Sequence, residues 1–150
     1  MSLLIRLPSA ILFACSMNAV RSPIAEVIMK HRYGRRLYVQ SVGVRAGEAD
    51  PFVQIVVDEI GLDLSRHRPK TFEELEDDYF DLIVTLSPEA HHHALEMTRT
   101  MACDVEFWPT EDVTLVEGNR ETRLDGYRRL RDGLMQRIDA RFGREPHPEL

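Results

Sequence analysis

Apolar and polar positions along the chain follow two alternating rhythms. Four short runs, Ala10 to Ala14, Tyr38 to Val42, Leu82 to Leu86 and Val105 to Phe107, are apolar and partly β-branched, as strands buried on both faces of a sheet are. Between them the period lengthens to three or four. Ile24, Val27 and Ile28 share one helical face, as do Phe52, Ile55, Val56 and Ile60. The last such stretch is the most regular: Leu124, Tyr127, Leu130, Leu134, Ile138 and Phe142. The alternation predicts the order β-α-β-α-β-α-β-α, an α/β domain with a mostly parallel sheet.

Helix starts are marked three times by a capping residue before proline: Ser22-Pro23, Asp50-Pro51 and Ser87-Pro88. Such a residue accepts from unpaired amides of the first turn, and proline occupies a position whose N–H is not needed. Gly34 and Gly61 stand where the first two helices should stop. Residues 66 to 80 are polar and increasingly acidic, which predicts a surface loop with one helical turn around Glu73 to Leu75.

A length of 150 residues suits one domain, read here as 1–150 with about 143–150 a flexible tail, and 43% hydrophobic with 29% charged residues is an ordinary globular composition. The net charge of −6 argues against a nucleic acid or an anionic membrane surface as partner. No stretch approaches the ~18 apolar residues of a membrane span. Met1 to Cys15 loosely resembles a bacterial lipoprotein signal, but Pro8 and Ser9 leave its apolar run too short. Two cysteines, Cys15 and Cys103, cannot form a disulfide framework and fit a reducing, cytoplasmic setting. Charge is also uneven. Residues 21–45 carry a net +5 and residues 58–81 a net −6, so a small anion could meet a locally positive approach.

The chemistry concentrates in Cys15-Ser16-Met17-Asn18-Ala19-Val20-Arg21-Ser22-Pro23, between the first strand and the first helix. In a parallel sheet, ligands bind at loops on the carboxyl ends of strands. Five residues between Cys15 and Arg21 allow the backbone to curl so that its N–H groups converge, in line with the positive end of the helix. That cradle suits a tetrahedral oxyanion. Arg21 adds a planar fork able to hold two of its oxygens, and the same positive surroundings favour the nucleophilic thiolate form of Cys15. The Ser22 hydroxyl can donate to that sulfur.

The pattern C-x5-R-S-P after a short strand, with Asn18 in the loop and Ala25-Glu26 following, resembles the low-molecular-weight protein tyrosine phosphatases and the arsenate reductases of the same fold. The resemblance spans nearly the whole chain. It includes Ser41 to Val44, Gly61 to His67, Phe80 to Val84 and Trp108-Pro109-Thr110-Glu111-Asp112. It implies a three-layer, flavodoxin-like sandwich with a four-stranded parallel sheet, and a phosphomonoester hydrolase acting through a cysteinyl-phosphate. Cys15 would be nucleophile, Arg21 and the segment Ser16, Met17, Asn18, Ala19 and Val20 would bind phosphate, and Asp112 would be general acid. Ser22 would assist sulfur as leaving group. Glu111 and Glu117 are rivals for the acid, since Val113 stands where the family usually has proline after it.

Departures from the family pattern bear on substrate. Met17 replaces a common glycine, Val20 replaces a second loop cysteine, Arg45 stands where an aromatic wall is usual, and Val113 to Val116 lacks tyrosines. Arg45 and Trp108 are the candidate specificity residues. The expected partner is a phosphorylated protein, a small phosphomonoester or a free tetrahedral oxyanion, with no cofactor and no metal. His91-His92-His93 has the wrong spacing for a helical metal site. An arsenate reductase is the main alternative. The segment after the third strand has no cysteine, and Cys103 is read as a buried structural thiol, so that reaction would need an external thiol. An oxyanion-binding regulatory module with little turnover is the other.

Overall fold

A computed structural model describes residues 7–77 and 79–143. Four strands, β1 (Ala10–Cys15), β2 (Tyr38–Gly43), β3 (Leu82–Thr85) and β4 (Asp104–Phe107), alternate with helices α1 (Arg21–Tyr33), α2 (Pro51–Asp58), α3 (Pro88–Met97) and α4 (Arg120–Phe142). All strand pairs are parallel, in the spatial order β2-β1-β3-β4. The chain therefore leaves β1 toward one neighbour and later returns to its other side. The carboxyl end of β1 is the switch point at which such sheets open a crevice.

Every residue of β1 is buried, and its alternate side chains serve two cores. Ile11, Phe13 and Cys15 pack with Ile24, Ile28, Leu124, Leu134 and Ile138 on the α1 and α4 side. Ala10, Leu12 and Ala14 pack with Ala90, Ala94, Phe72 and Phe80 on the α3 side. Helices thus cover both faces, giving the expected three layers around a central strand. Truncating Phe13, with no exposed surface, would cost roughly 3–5 kcal/mol.

Local signals hold at two caps and fail at one. Asp50 accepts from the Phe52 amide at 2.9 Å and Ser87 Oγ from the Ala90 amide at 3.2 Å. Gly61 has φ +79°, the left-handed backbone that favours glycine after a helix. Helix α1, however, begins at Arg21 behind Val20, so Ser22 is inside the first turn and not its cap. Its hydroxyl is drawn instead to groups under the loop. Gly34 does end α1, but in right-handed backbone, with its N–H on Lys30 O at 2.8 Å.

Two further expectations are corrected. Residues 66 to 80 are more than a surface loop: Phe72 and Phe80 are buried in the α3-side core, and the turn Phe72–Glu74 is closed by reciprocal Thr71 and Glu74 bonds. Strand β4 is only partly buried because it is the sheet edge, with Phe107 stacked on His91 at 4.7 Å. His93 stacks on Phe72, so the histidine run supports packing. Among the described residues no helix is long and apolar enough to cross a membrane. Met1 to Arg6, where the lipoprotein-like stretch begins, and the expected tail beyond Gly143 lie outside the described residues.

Candidate active site

The loop after β1 curls because its carbonyls are held from outside. Amides of Val44, Arg45 and Gly47 donate to the carbonyls of Cys15, Ser16 and Met17 at 3.1, 2.8 and 2.9 Å. His67 Nε2–H donates to Asn18 O at 2.9 Å, and the Ile24 amide bonds Val20 O. With the carbonyls turned outward, the amides turn inward. Among the described residues none of those from Ser16 to Val20 has a protein acceptor. The reversal needs one left-handed residue, Asn18 at φ +54°, a conformation that asparagine tolerates better than most.

Beneath the loop lies a directed chain of hydrogen bonds. Asn18, fully buried, donates through Nδ2 to Ser22 Oγ at 2.8 Å and Ser41 Oγ at 2.9 Å, and its Oδ1 accepts from the Lys70 amide at 2.9 Å. Ser41 passes its own proton to Glu26 Oε1 at 2.5 Å, and Lys30 holds the other Glu26 oxygen at 2.6 Å. On the other branch, Ser22 Oγ stands 3.0 Å from Cys15 Sγ, and the Ser22 amide donates to that sulfur at 3.4 Å. Cys15 itself is 2% exposed, at the floor of the loop. Ser41, Glu26, His67 and the Lys70 amide were given no role from sequence. Only a polar residue at a buried strand position, Ser41, could have signalled one.

Above the sulfur is a cavity of about 480 Å³, into which the predicted residues sort unequally. Ser16, Met17, Ala19, Val20, Arg21, Arg45 and Asp112 line it with Cys15, as do Glu48, Asp50 and Thr114. Arg21 leads α1 and is braced by an Nη1 bond to Thr110 O at 3.0 Å. Asp112 caps the short turn Val113–Leu115. Its Oδ1 takes both the Thr114 amide and the Thr114 hydroxyl, at 3.1 and 2.6 Å, and Oδ2 has no such partner among the described residues. Its rival Glu111 faces α4 instead, 3.7 Å from Arg129. Arg45 is tied bidentately to Glu89 at 2.5 and 2.8 Å, which holds that carboxyl below the usual range. Met17, 41% exposed, lies against Gly47 at the rim.

Trp108 is not brought to this cavity. It is 4% exposed and packs on Phe13 and Phe142 in the core. No aromatic side chain lines the cavity among the described residues. The basic stretch 21–45 also presents less free charge than its sum suggests: Lys30, Arg32 and Arg45 each hold a carboxylate, and Arg21 is the cation left facing the loop. Cys103 is partly buried at the start of β4, and burial pushes its thiol up to about 11.

A strand, a loop with inward amides, a buried cysteine and a following arginine at the switch point of a parallel sheet define an oxyanion-binding α/β class. The family model for low molecular weight phosphotyrosine protein phosphatase matches residues 10–117, and the chain belongs to that family. An arsenate reductase of Halalkalibacterium halodurans is 31% identical over 130 residues, covering 85% of this chain and 91% of that protein. The arsenate reductase structure from Archaeoglobus fulgidus is 26% identical with a TM-score of 0.69, covering 89% and 98% of the two chains. The tyrosine phosphatase amsI of Erwinia amylovora shares the fold, with a TM-score of 0.73 at 19% identity over 90% and 91% of the chains.

Proposed function

We propose that this protein is a phosphomonoester hydrolase working through a cysteinyl-phosphate intermediate. One observation carries the reading: Cys15, the inward amides, Arg21 and Asp112 all face a single cavity. The Cys15 thiolate attacks phosphorus, and the P–O bond to the leaving group breaks as the S–P bond forms. The amides and Arg21 hold the equatorial oxygens, and the Asp112 carboxyl gives its proton to the departing oxygen. In the second half the Asp112 carboxylate takes a proton from water, whose oxygen attacks phosphorus. The S–P electron pair then returns to sulfur, where the Ser22 hydroxyl and amide donate to it. The cavity's lack of aromatic walls supports modest activity toward phosphotyrosine, or a preference for another phosphomonoester. Two free cysteines support a reducing, cytoplasmic setting.

Arsenate reduction is the second reading, supported by the arsenate reductases among the relatives. An internal thiol relay does not fit it. Asp104 is level with Leu82 and hence with Ile11, at the opposite end of the sheet from Cys15. Cys103 is thus roughly 15–20 Å from Cys15 by strand spacing, whereas a disulfide needs Cα atoms within ~7 Å. An external thiol would have to complete the cycle. The deciding experiment compares wild type, Cys15→Ser and Asp112→Asn on an aryl phosphate and on arsenate with glutathione or thioredoxin. Hydrolysis abolished by Cys15→Ser and slowed by Asp112→Asn is expected. Full hydrolysis by Cys15→Ser would defeat the mechanism, and tight phosphate binding by a wild type that does not turn over would favour a regulatory module.

A further inference from the structure

A cavity of about 760 Å³ lies behind the catalytic loop, between α1 and residues 63–70. It shares no lining residue with the cavity over Cys15. Its charges are unevenly satisfied. The acids are engaged: Glu26 by Ser41 and Lys30, Asp63 by the Ser65 amide and hydroxyl at 2.9 and 3.1 Å, Glu74 by the Thr71 amide at 2.8 Å. Of the cations, Lys30 is paired with Glu26, and the other three have no ion pair among the described residues. Lys70 Nζ meets only the neutral Gln40 Oε1, at 2.7 Å, and neither Arg66 nor Arg68 has a carboxylate within ion-pairing distance among the described residues.

Arg66, Arg68 and Lys70, on one five-residue stretch, thus line a common cavity without an ion pair, and together with Lys30, Glu26, Asp63 and Glu74 they give its lining a net charge of +1 in a chain whose net charge is −6. Paired guanidinium forks favour phosphate oxygens, which they bind bidentately. The volume is that of a site for a small organic molecule, larger than one phosphate requires. A long polyanion such as nucleic acid is disfavoured by the overall negative field, whereas a compact one is not. We propose that this cavity binds a compact polyphosphate: the triphosphate group of a nucleotide or of inorganic tripolyphosphate. The proposal is independent of whether Cys15 turns over phosphate, and its readout is binding alone.

The test is calorimetric titration of the full chain with ATP and, separately, with tripolyphosphate. Arg21→Ala weakens anion binding at the catalytic loop in every sample, and a second sample adds Arg66→Glu and Arg68→Glu. Because both arginines are exposed, thermal melting should show an unchanged fold. One site is expected in the Arg21→Ala protein, weakened about tenfold or more by the two reversals. Equal binding of both probes would place recognition in the triphosphate, and binding of ATP alone would add the nucleoside to it. No binding of either probe, or binding undiminished by the charge reversals, would overturn the proposal. If the triple variant melted early, Arg68→Ala in the Arg21→Ala background would take its place, with weaker binding expected and unchanged binding counting against the site.

Discussion

Ser22 Oγ stands 3.0 Å from Cys15 Sγ while accepting from Asn18 Nδ2 at 2.8 Å. Because the amide supplies a proton to the serine oxygen, the serine's own proton can point at sulfur; the alternative acceptor, Val42 O, is farther, at 3.3 Å. A hydrogen bond to a charged group is worth about 1.5–3 kcal/mol. Ser22→Ala should therefore slow breakdown of a cysteinyl-phosphate by about ten- to a hundredfold, leaving its formation less affected. Rapid-mixing kinetics with p-nitrophenyl phosphate should show a retained burst and a slower steady state. Unchanged steady-state turnover would deny the serine this part.

Gly43 ends β2 directly against the loop. A Cβ there would lie 2.5 Å from Arg45 O and 2.7 Å from Asn18 N, both backbone atoms with little freedom to yield. Gly43→Ala should displace the loop, lowering kcat/KM by at least about tenfold and stability by about 1–3 kcal/mol. Kinetics and urea midpoints on the same preparation would check both. Wild-type values for each would mean that the loop accommodates the methyl group.

The two thiols should differ in reactivity. With its thiol pushed up to about 11 by burial, Cys103 is only about one part in ten thousand thiolate at pH 7. Iodoacetamide at neutral pH, followed by peptide mass mapping, should modify Cys15 first. Phosphate or vanadate should protect that site. Preferential labelling of Cys103 would contradict the burial argument.

Acid should loosen the contact between α2 and α4. Arg128 and Arg131 hydrogen-bond Glu59 at 2.8 and 2.7 Å and lower its carboxyl from 4.5 to about 2. A carboxyl depressed in the folded state contributes stability above its unfolded value, and that contribution is lost as pH falls from about 4.5 toward 2. The gap in melting temperature between wild type and Glu59→Gln should thus be present at pH 6 and close toward pH 2. The group is partly exposed, so salt should shrink the gap too. A gap that persisted at pH 2 would assign it to packing.

Much of the architecture was legible because its causes are local. Buried strands announced themselves by short apolar runs, α4 by its period, and Asp50 and Ser87 by the proline behind each. Ser22-Pro23 carried the same signal, yet Ser22 is not a cap. The loop, with Asn18 left-handed, starts the helix two residues earlier and turns the hydroxyl toward sulfur and amide. Strand β4, with Asp104 and Glu106 among its four residues, lies at the sheet edge and is only half-covered.

The amino-acid order by itself determined an α/β chain with a cysteine and an arginine bracketing a five-residue loop at the first strand's carboxyl end. Propensity, period and capping act over a few neighbours, and these patterns need nothing more. Tertiary packing decided the remainder. It chose Asp112 over Glu111 for the cavity, sent Trp108 to the core, spent Lys30, Arg32 and Arg45 of the basic stretch on carboxylates, and joined Asn18 to Ser41, His67 and Lys70. Those partners lie 23 to 52 residues from Asn18, and which groups meet at such separations depends on how whole elements stack.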